Sequence, residues 1–257
     1  MKSRTHLTDN AAWSGAAPKL SVLIPCFRDD PTRLLAALDR VSSDVEVVVL
    51  DDGSGDAALA ERIASAVRQL ALPARFVRLE ANEGRSRGRN RLANAARAPF
   101  FLFLDADMLP DRADFLDRWL ALATDAAPAA AFGGFSLDQA PKTAAHAVHR
   151  AMALRSDCLT AEARRAAPEK HVFTSNLLIR RDVFEQSAAN FARVAAAHPQ
   201  IVRTYPSYRA ARMLKRAPLR DVWRPWLKAA ALTTLAPVAA RAFALRLYRA
   251  ALYAEAV

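Results

Sequence analysis

Two acidic clusters carry the first chemistry legible in the chain. One is Asp51-Asp52-Gly53-Ser54-Gly55-Asp56, and the other is Asp105-Ala106-Asp107, after the apolar stretch Phe100–Leu104. Glycine and serine make a turn, and Asp56 suits the cap of a following helix, so turn chemistry accounts for Gly53, Ser54 and Asp56. It does not account for a second adjacent acid. Neighbouring carboxylates repel, and a partner that donates hydrogen bonds or positive charge offsets that cost. Asp105 and Asp107 can direct two hard oxygen ligands toward one spot, the chemistry of a divalent cation that also holds phosphate oxygens. The competing reading is that Asp107 only helps to begin a helix at Pro110. Between the clusters, the run Asn82-Glu83-Gly84-Arg85-Ser86-Arg87-Gly88-Arg89-Asn90-Arg91 opens a helical pattern. Arg85 and Arg89 share a helix face there. A helix N-terminus with glycine and arginine beside it favours phosphate, whereas Arg87 and Arg91 also suit a solvated surface helix.

The elements that must position these residues follow from apolar periodicity. KLSVLIPCF, VEVVVL, ARFVRL and PFFLFL read as strands buried on both faces of a parallel sheet. Helical spacing fills the intervals PTRLLAALDRV, DAALAERIASAVRQLAL and GRSRGRNRLANAAR. Such alternation means βαβ units, and the fold class is α/β: an open, mostly parallel sheet with helices on both faces. Ligands bind outside the carboxyl ends of such strands, so both acidic clusters face one crevice. Further on, the pattern predicts a helix from Pro110 to about Thr124, the apolar run AAAFGGF, a longer helical stretch from Lys142 to Arg165, and one more strand, HVFTSNLLI. Residues 1–18 read as a loose tail, 19–186 as the sheet domain, and 187–257 as a basic helical region broken by prolines.

Composition bounds the rest. With 257 residues, 53% of them hydrophobic, and only seven glycines, the chain has ample core and is neither fibrous nor disordered. Cys26 and Cys158 are not paired by spacing and read as reduced thiols of an intracellular protein. The N-terminus has no apolar stretch of the kind a secretory signal needs. Most of the net charge of +11 lies beyond Gln186, where twelve Lys or Arg face only Asp221 and Glu255. That excess favours an anionic partner: a phosphorylated substrate, the anionic surface of a membrane, or nucleic acid. AAALTTLAPVAA is twelve residues without charge, short of the roughly twenty that span a bilayer. Arg241, Arg246 and Arg249 alternate with Phe243, Leu245, Leu247, Tyr248 and Leu252, which suits an amphipathic helix on a membrane surface or one packed over the protein's own core. Tyr205, Tyr208, Trp223 and Trp226 also suit a helical cover, so nucleic acid ranks last among these partners.

The order of the motifs is more specific than any one of them. A strand containing Pro25, then DDGS, then NEGRSRGRN, then DAD resembles family 2 glycosyltransferases of the GT-A fold, over roughly Lys19 to Phe184. The resemblance implies metal-dependent transfer of a sugar from a nucleotide-diphospho-sugar to an acceptor hydroxyl, with inversion, the acceptor being an unspecified glycan, lipid-linked or protein group. It implies that Pro25 and Cys26 line the nucleotide base and that Asp52 accepts a hydrogen bond from it. Arg85 and Arg89 match the basic positions near the ribose and diphosphate. Asp105 and Asp107 match the ligands of Mg2+ or Mn2+, with Asp107 the more direct. The segment Phe173–Phe184 resembles the strand before the acceptor site, which sets Ser175 and Asn176 near the transferred sugar. From the reduced cysteines, the N-terminus and the basic last quarter, the expected location is cytoplasmic, with the inner face of the membrane as a surface to bind.

Two departures qualify the resemblance. An inverting transferase needs a base for the acceptor proton, and the family takes it from an acidic stretch beyond the acceptor strand. Here Glu185 is the sole carboxylate between Phe184 and Arg220, and no glycine follows Gly134. Glu185, as candidate catalytic base, and His198, a weaker one, are what remain. Phe27-Arg28 stands where the family often has Tyr-Asn. A nucleotide-sugar-binding remnant without a base is therefore a second reading. A nucleotidyltransferase is a third, disfavoured because a glycine-rich loop would be expected after the first strand.

Overall fold

The computed structural model describes residues 4–140, 142–166, 173–186 and 237–241. The basic region 187–257 lies outside the described residues apart from 237–241, and with it His198 and most of the expected membrane-surface helix. The chain divides into two compact units, one of residues 1–133 with 172–188, the other of residues 134–171 with 189–257.

In the first unit the expected loose tail is replaced by structure. Strand β1 (Thr5–Asp9) pairs antiparallel with β4 (Ala74–Leu79) at a sheet edge. Asn10 then fastens the turn: its amide donates to the carbonyls of Leu70 (2.9 Å) and Leu72 (2.7 Å) and its oxygen accepts from the Ala74 N–H (3.0 Å). Trp13 is buried, with the guanidinium groups of Arg75 and Arg97 over its ring at 4.4 and 3.8 Å. Beneath Arg97 lies Glu46, fully buried, which accepts from Arg97 Nε (2.7 Å), the Arg97 N–H (2.6 Å) and Ser21 Oγ (2.6 Å). A buried carboxylate needs such partners, because desolvation of the charge is otherwise prohibitive.

The centre of the sheet follows the sequence. Strands β2 (Leu20–Cys26), β3 (Val45–Asp51), β4 and β5 (Phe100–Phe103) are parallel, and every residue of β3 is buried. Alternate side chains serve two cores. Leu20, Val22, Ile24, Val47, Val49 and Leu102 meet helices α1 (Thr32–Leu38) and α2 (Ala57–Gln69) on one face. Leu23, Val48, Leu50, Phe101 and Phe103 meet α3 (Arg85–Ala95) and Trp13 on the other. Asp56 caps α2, its side chain accepting from the Leu59 N–H at 3.0 Å. Helix α4 (Phe115–Ala121) sets Leu116 and Trp119 into the first core. Strands β6 (Ala130–Phe132) and β7 (Leu177–Arg180) complete a seven-stranded sheet of order β1-β4-β3-β2-β5-β7-β6, with β7 antiparallel to both neighbours.

Two helix expectations shift. The helix expected from Pro110 begins at Phe115 and continues past Ala121 as a π turn, Leu122–Ala126, ended by Ala127 at φ 44°. In the second unit, the stretch expected as one helix is a 3₁₀ turn, Ala144–His146, followed by α5 (Ala147–Ser156) and α6 (Ala161–Arg165). The break falls at Thr160, whose hydroxyl accepts from the Ala163 N–H (3.2 Å) and starts α6 afresh.

Candidate active site

Register brings the acidic clusters to one edge. Cys26 lies opposite Asp51, and Leu104, beyond the Leu23–Phe103 pair, donates its N–H to the Leu23 carbonyl at 3.1 Å. Asp51, Asp52 and Asp105 therefore emerge at the carboxyl ends of β3 and β5, the parallel strands on either side of β2. Pro25 is partly exposed there and Cys26 is buried. Burial, reinforced by Asp51, pushes the Cys26 thiol far above its ordinary range, and its Sγ donates to the Leu50 carbonyl at 3.0 Å.

The paired acids do different work. Asp51 Oδ1 accepts from the Ser54 N–H (3.0 Å) and from Ser54 Oγ, while its Oδ2 is buried without a hydrogen-bond partner. Asp52 reaches the start of α3, accepting from the N–H groups of Glu83 (2.8 Å) and Gly84 (2.9 Å). A carboxylate on free N–H groups at a helix start satisfies them and opposes the helix dipole. Asn82 Nδ2 donates to the Asp52 carbonyl at 3.0 Å. Gly53, at φ 71°, makes this approach possible: a β-carbon there would sit 2.3 Å from the Ala81 carbonyl carbon. The base-binding carboxylate expected at Asp52 thus has both oxygens engaged by backbone.

The other half of the site centres on Arg89. Its Nη2 donates to Asp105 Oδ1 at 3.2 Å, and its Nε is buried with no hydrogen-bond partner. Burial pulls the Arg89 guanidinium below the ordinary arginine value, with Asp105 opposing and Arg85 adding to the shift. Burial likewise raises the Asp105 carboxyl, opposed by Arg89 and reinforced by Asp107. Asp107 and Arg85 are exposed. Among the described residues no three His, Cys, Asp or Glu side chains converge as a protein-only metal cage. Asp105 and Asp107 instead fit the mode in which one or two carboxylates hold a Mg2+-like ion and substrate phosphates complete its shell.

Ser175 and Asn176 are buried beside β5. Ser175 Oγ accepts from the Asp105 N–H (2.9 Å), and the Asn176 carbonyl accepts from the Gly133 N–H (2.9 Å) with Asn176 at φ 53°. Glu185 is not brought to this group. It lies in the helical segment 181–186 and pairs with Arg181 at 3.8 Å. Arg181 is anchored on the carbonyls of Ala96 and Ala98, before β5 begins and so at the opposite end of that strand from Asp105. Sequence reasoning missed Arg28, whose N–H donates to Ser54 Oγ at 2.7 Å and whose backbone is left-handed at φ 61°. Only the replacement of the family's Asn by Arg28 marked the position.

The family model described as Glycosyl transferase family 2 matches residues 21–187, a segment that holds nearly all of β2, all of β3 to β7 and both acidic loops. The chain belongs to glycosyl transferase family 2. No curated protein matches it. Among solved structures, this family 2 chain is similar to S. aureus TarS 1-349 in complex with UDP-GlcNAc, at 20% identity over 66% of this chain and 47% of that one, with a TM-score of 0.43. It is also similar to the mannosyltransferase PcManGT from Pyrobaculum calidifontis in complex with GDP-Man and Mn2+, at 17% identity over 93% of this chain and 87% of that one, with a TM-score of 0.42. The chain spans about half the length of the TarS structures it matches.

Proposed function

We propose that this family 2 chain binds a nucleotide-diphospho-sugar at the carboxyl edge of β2, β3 and β5 and transfers the sugar, with inversion, to an acceptor hydroxyl. The observation that carries the reading is the Arg89–Asp105 pair, with a buried, unpartnered Arg89 Nε and an exposed Asp107 beside it. Arg85 and Arg89 supply positive charge for the diphosphate, and Asp105 and Asp107 would hold Mg2+ or Mn2+. That ion, when bound, neutralises the charge developing on the leaving nucleoside diphosphate. Asp52 fixes the start of α3 and thereby the aim of both arginines. Pro25 and Cys26 floor the base subsite, and Ser175 and Asn176 shape the sugar side. The acceptor is a glycan, lipid-linked or protein hydroxyl, and the basic region 187–257 would hold the enzyme to the cytoplasmic, anionic face of a membrane. No helix among the described residues is long and apolar enough to cross one.

A second reading is donor binding without transfer. It is favoured by the placement of Glu185, the candidate base, which pairs with Arg181 at the end of β5 opposite Asp105. Calorimetry of UDP and GDP with and without Mn2+, followed by an assay of hydrolysis or transfer from the matching nucleotide-sugar, tests both. Metal-dependent binding lost in Asp107→Ala supports the donor site, and unaltered affinity in that variant removes it. Turnover selects the transferase, and binding without turnover the remnant.

A further inference from the structure

The loop after β2 carries a feature that the donor-site reading leaves unused. Arg28 sits at φ 61°, a left-handed conformation disfavoured for a residue with a β-carbon and more easily adopted by Asn or Gly. The surrounding structure holds it there: its N–H donates to Ser54 Oγ (2.7 Å), and that hydroxyl donates to the buried Asp51 carboxylate. Strain kept in place by such a relay points to use of the side chain. Above the loop, the Arg28 guanidinium lies 5.0 Å from the centroid of the Phe27 ring, which is 39% exposed. The guanidinium has no ion pair or hydrogen bond among the described residues, although Asp29 and Asp30 follow it and Asp30 is taken by Arg62 at 3.1 Å.

A part-exposed aromatic ring with a guanidinium over one face, its N–H groups paired with no carboxylate among the described residues, has the two parts a nucleobase needs, a ring to stack on and a donor fork for the base edge. Its position suits a nucleotide. β2 is the direct neighbour of β5, about 4.8 Å away, so a base joined through ribose to a diphosphate at Asp105 reaches Phe27. Guanine presents the acceptors O6 and N7 side by side, which a guanidinium meets with two parallel hydrogen bonds. Uracil offers O4 beside a C–H and satisfies only one. We propose that Phe27 and Arg28 form a base-reading element that favours a guanine nucleotide over a uracil nucleotide at the donor site. This rests on the donor-site reading above.

The test is calorimetry of GDP and UDP in the presence of Mn2+, using the full chain and the variants Arg28→Asn and Arg28→Lys. Asn suits the left-handed backbone and leaves the loop in place, while Lys keeps the charge without the fork. The wild type is expected to bind GDP on the order of tenfold more tightly than UDP, and both variants to bring the ratio near one by weakening GDP alone. Equal wild-type affinities, a preference for UDP, or equal weakening of both nucleotides by Arg28→Asn would overturn the proposal, the last by making Arg28 a phosphate ligand. Failure of both nucleotides to bind the wild type would remove the donor site and this inference together, whereas UDP binding without discrimination removes this inference alone.

Discussion

At the carboxyl edge of the sheet, the Arg89 guanidinium and the Asp105 carboxylate meet at 3.2 Å with unequal exposure, 14% and 46%. Arginine stays charged across the working range, so Asp105 is the partner that titrates. Its folded pKa lies above the ordinary 3.8 because burial disfavours the carboxylate. The folded protein therefore binds a proton more readily than the unfolded chain, and between 3.8 and the folded value stability falls as pH rises. On the proposed donor-site reading the cation needs the ionised form, so Mn2+-dependent nucleotide affinity should be lost on acidification at a pH above the ordinary 3.8. A pH series of calorimetric titrations checks this, and Asp105→Asn, which removes a carboxylate ligand, should lower the Mn2+-dependent affinity at every pH. Cys26 gives a second expectation at this scale. With its thiol buried and pushed up, native protein should leave Cys26 unmodified by a maleimide while the partly exposed Cys158 reacts, and urea should expose Cys26; peptide mass spectrometry reads the result.

Among the elements, the contact of the Asp52 loop with α3 decides where both arginines point. Asp52→Ala frees two N–H groups at a helix start and should lower the unfolding free energy by about 1–2 kcal/mol in urea melts. Gly53→Ala should cost more, since its β-carbon would meet the Ala81 backbone at 2.3 Å. Both loops were legible in the sequence because β2, β3, β4 and β5 are short, largely apolar runs, and ARFVRL coincides with β4. Thr5–Asp9 was not, because an exposed edge strand of polar residues lacks the alternation that a half-buried strand shows. The cap at Thr160 lay in plain view, but helical spacing on both sides concealed it. Of the site, the residue types were readable; which acid would face the crevice and which would fasten a helix was not, since that depends on loops distant in sequence.

For the whole molecule, the N-terminal segment is part of the fold through Trp13, Arg97 and Glu46. Glu46→Ala leaves Arg97 without its carboxylate partner beneath Trp13, and should destabilise the protein by about 3–5 kcal/mol, measured as a shift of the urea midpoint. The charge asymmetry acts at the same scale. Co-sedimentation with anionic vesicles should be weakened by salt and should disappear when residues after Trp226 are removed; persistence would place membrane affinity elsewhere.

The strand order also sets a timetable for synthesis. The parallel strands β2 to β5 can pair as soon as residue 103 has left the ribosome, but β6, made at Ala130–Phe132, bonds only to β7 and waits for Leu177–Arg180. Until then the flank of β5 has an open row of amide and carbonyl groups, a template for another chain. A nascent or truncated polypeptide that stops short of residue 177 should therefore associate with its own kind, through a strand flank that β7 covers in the finished protein.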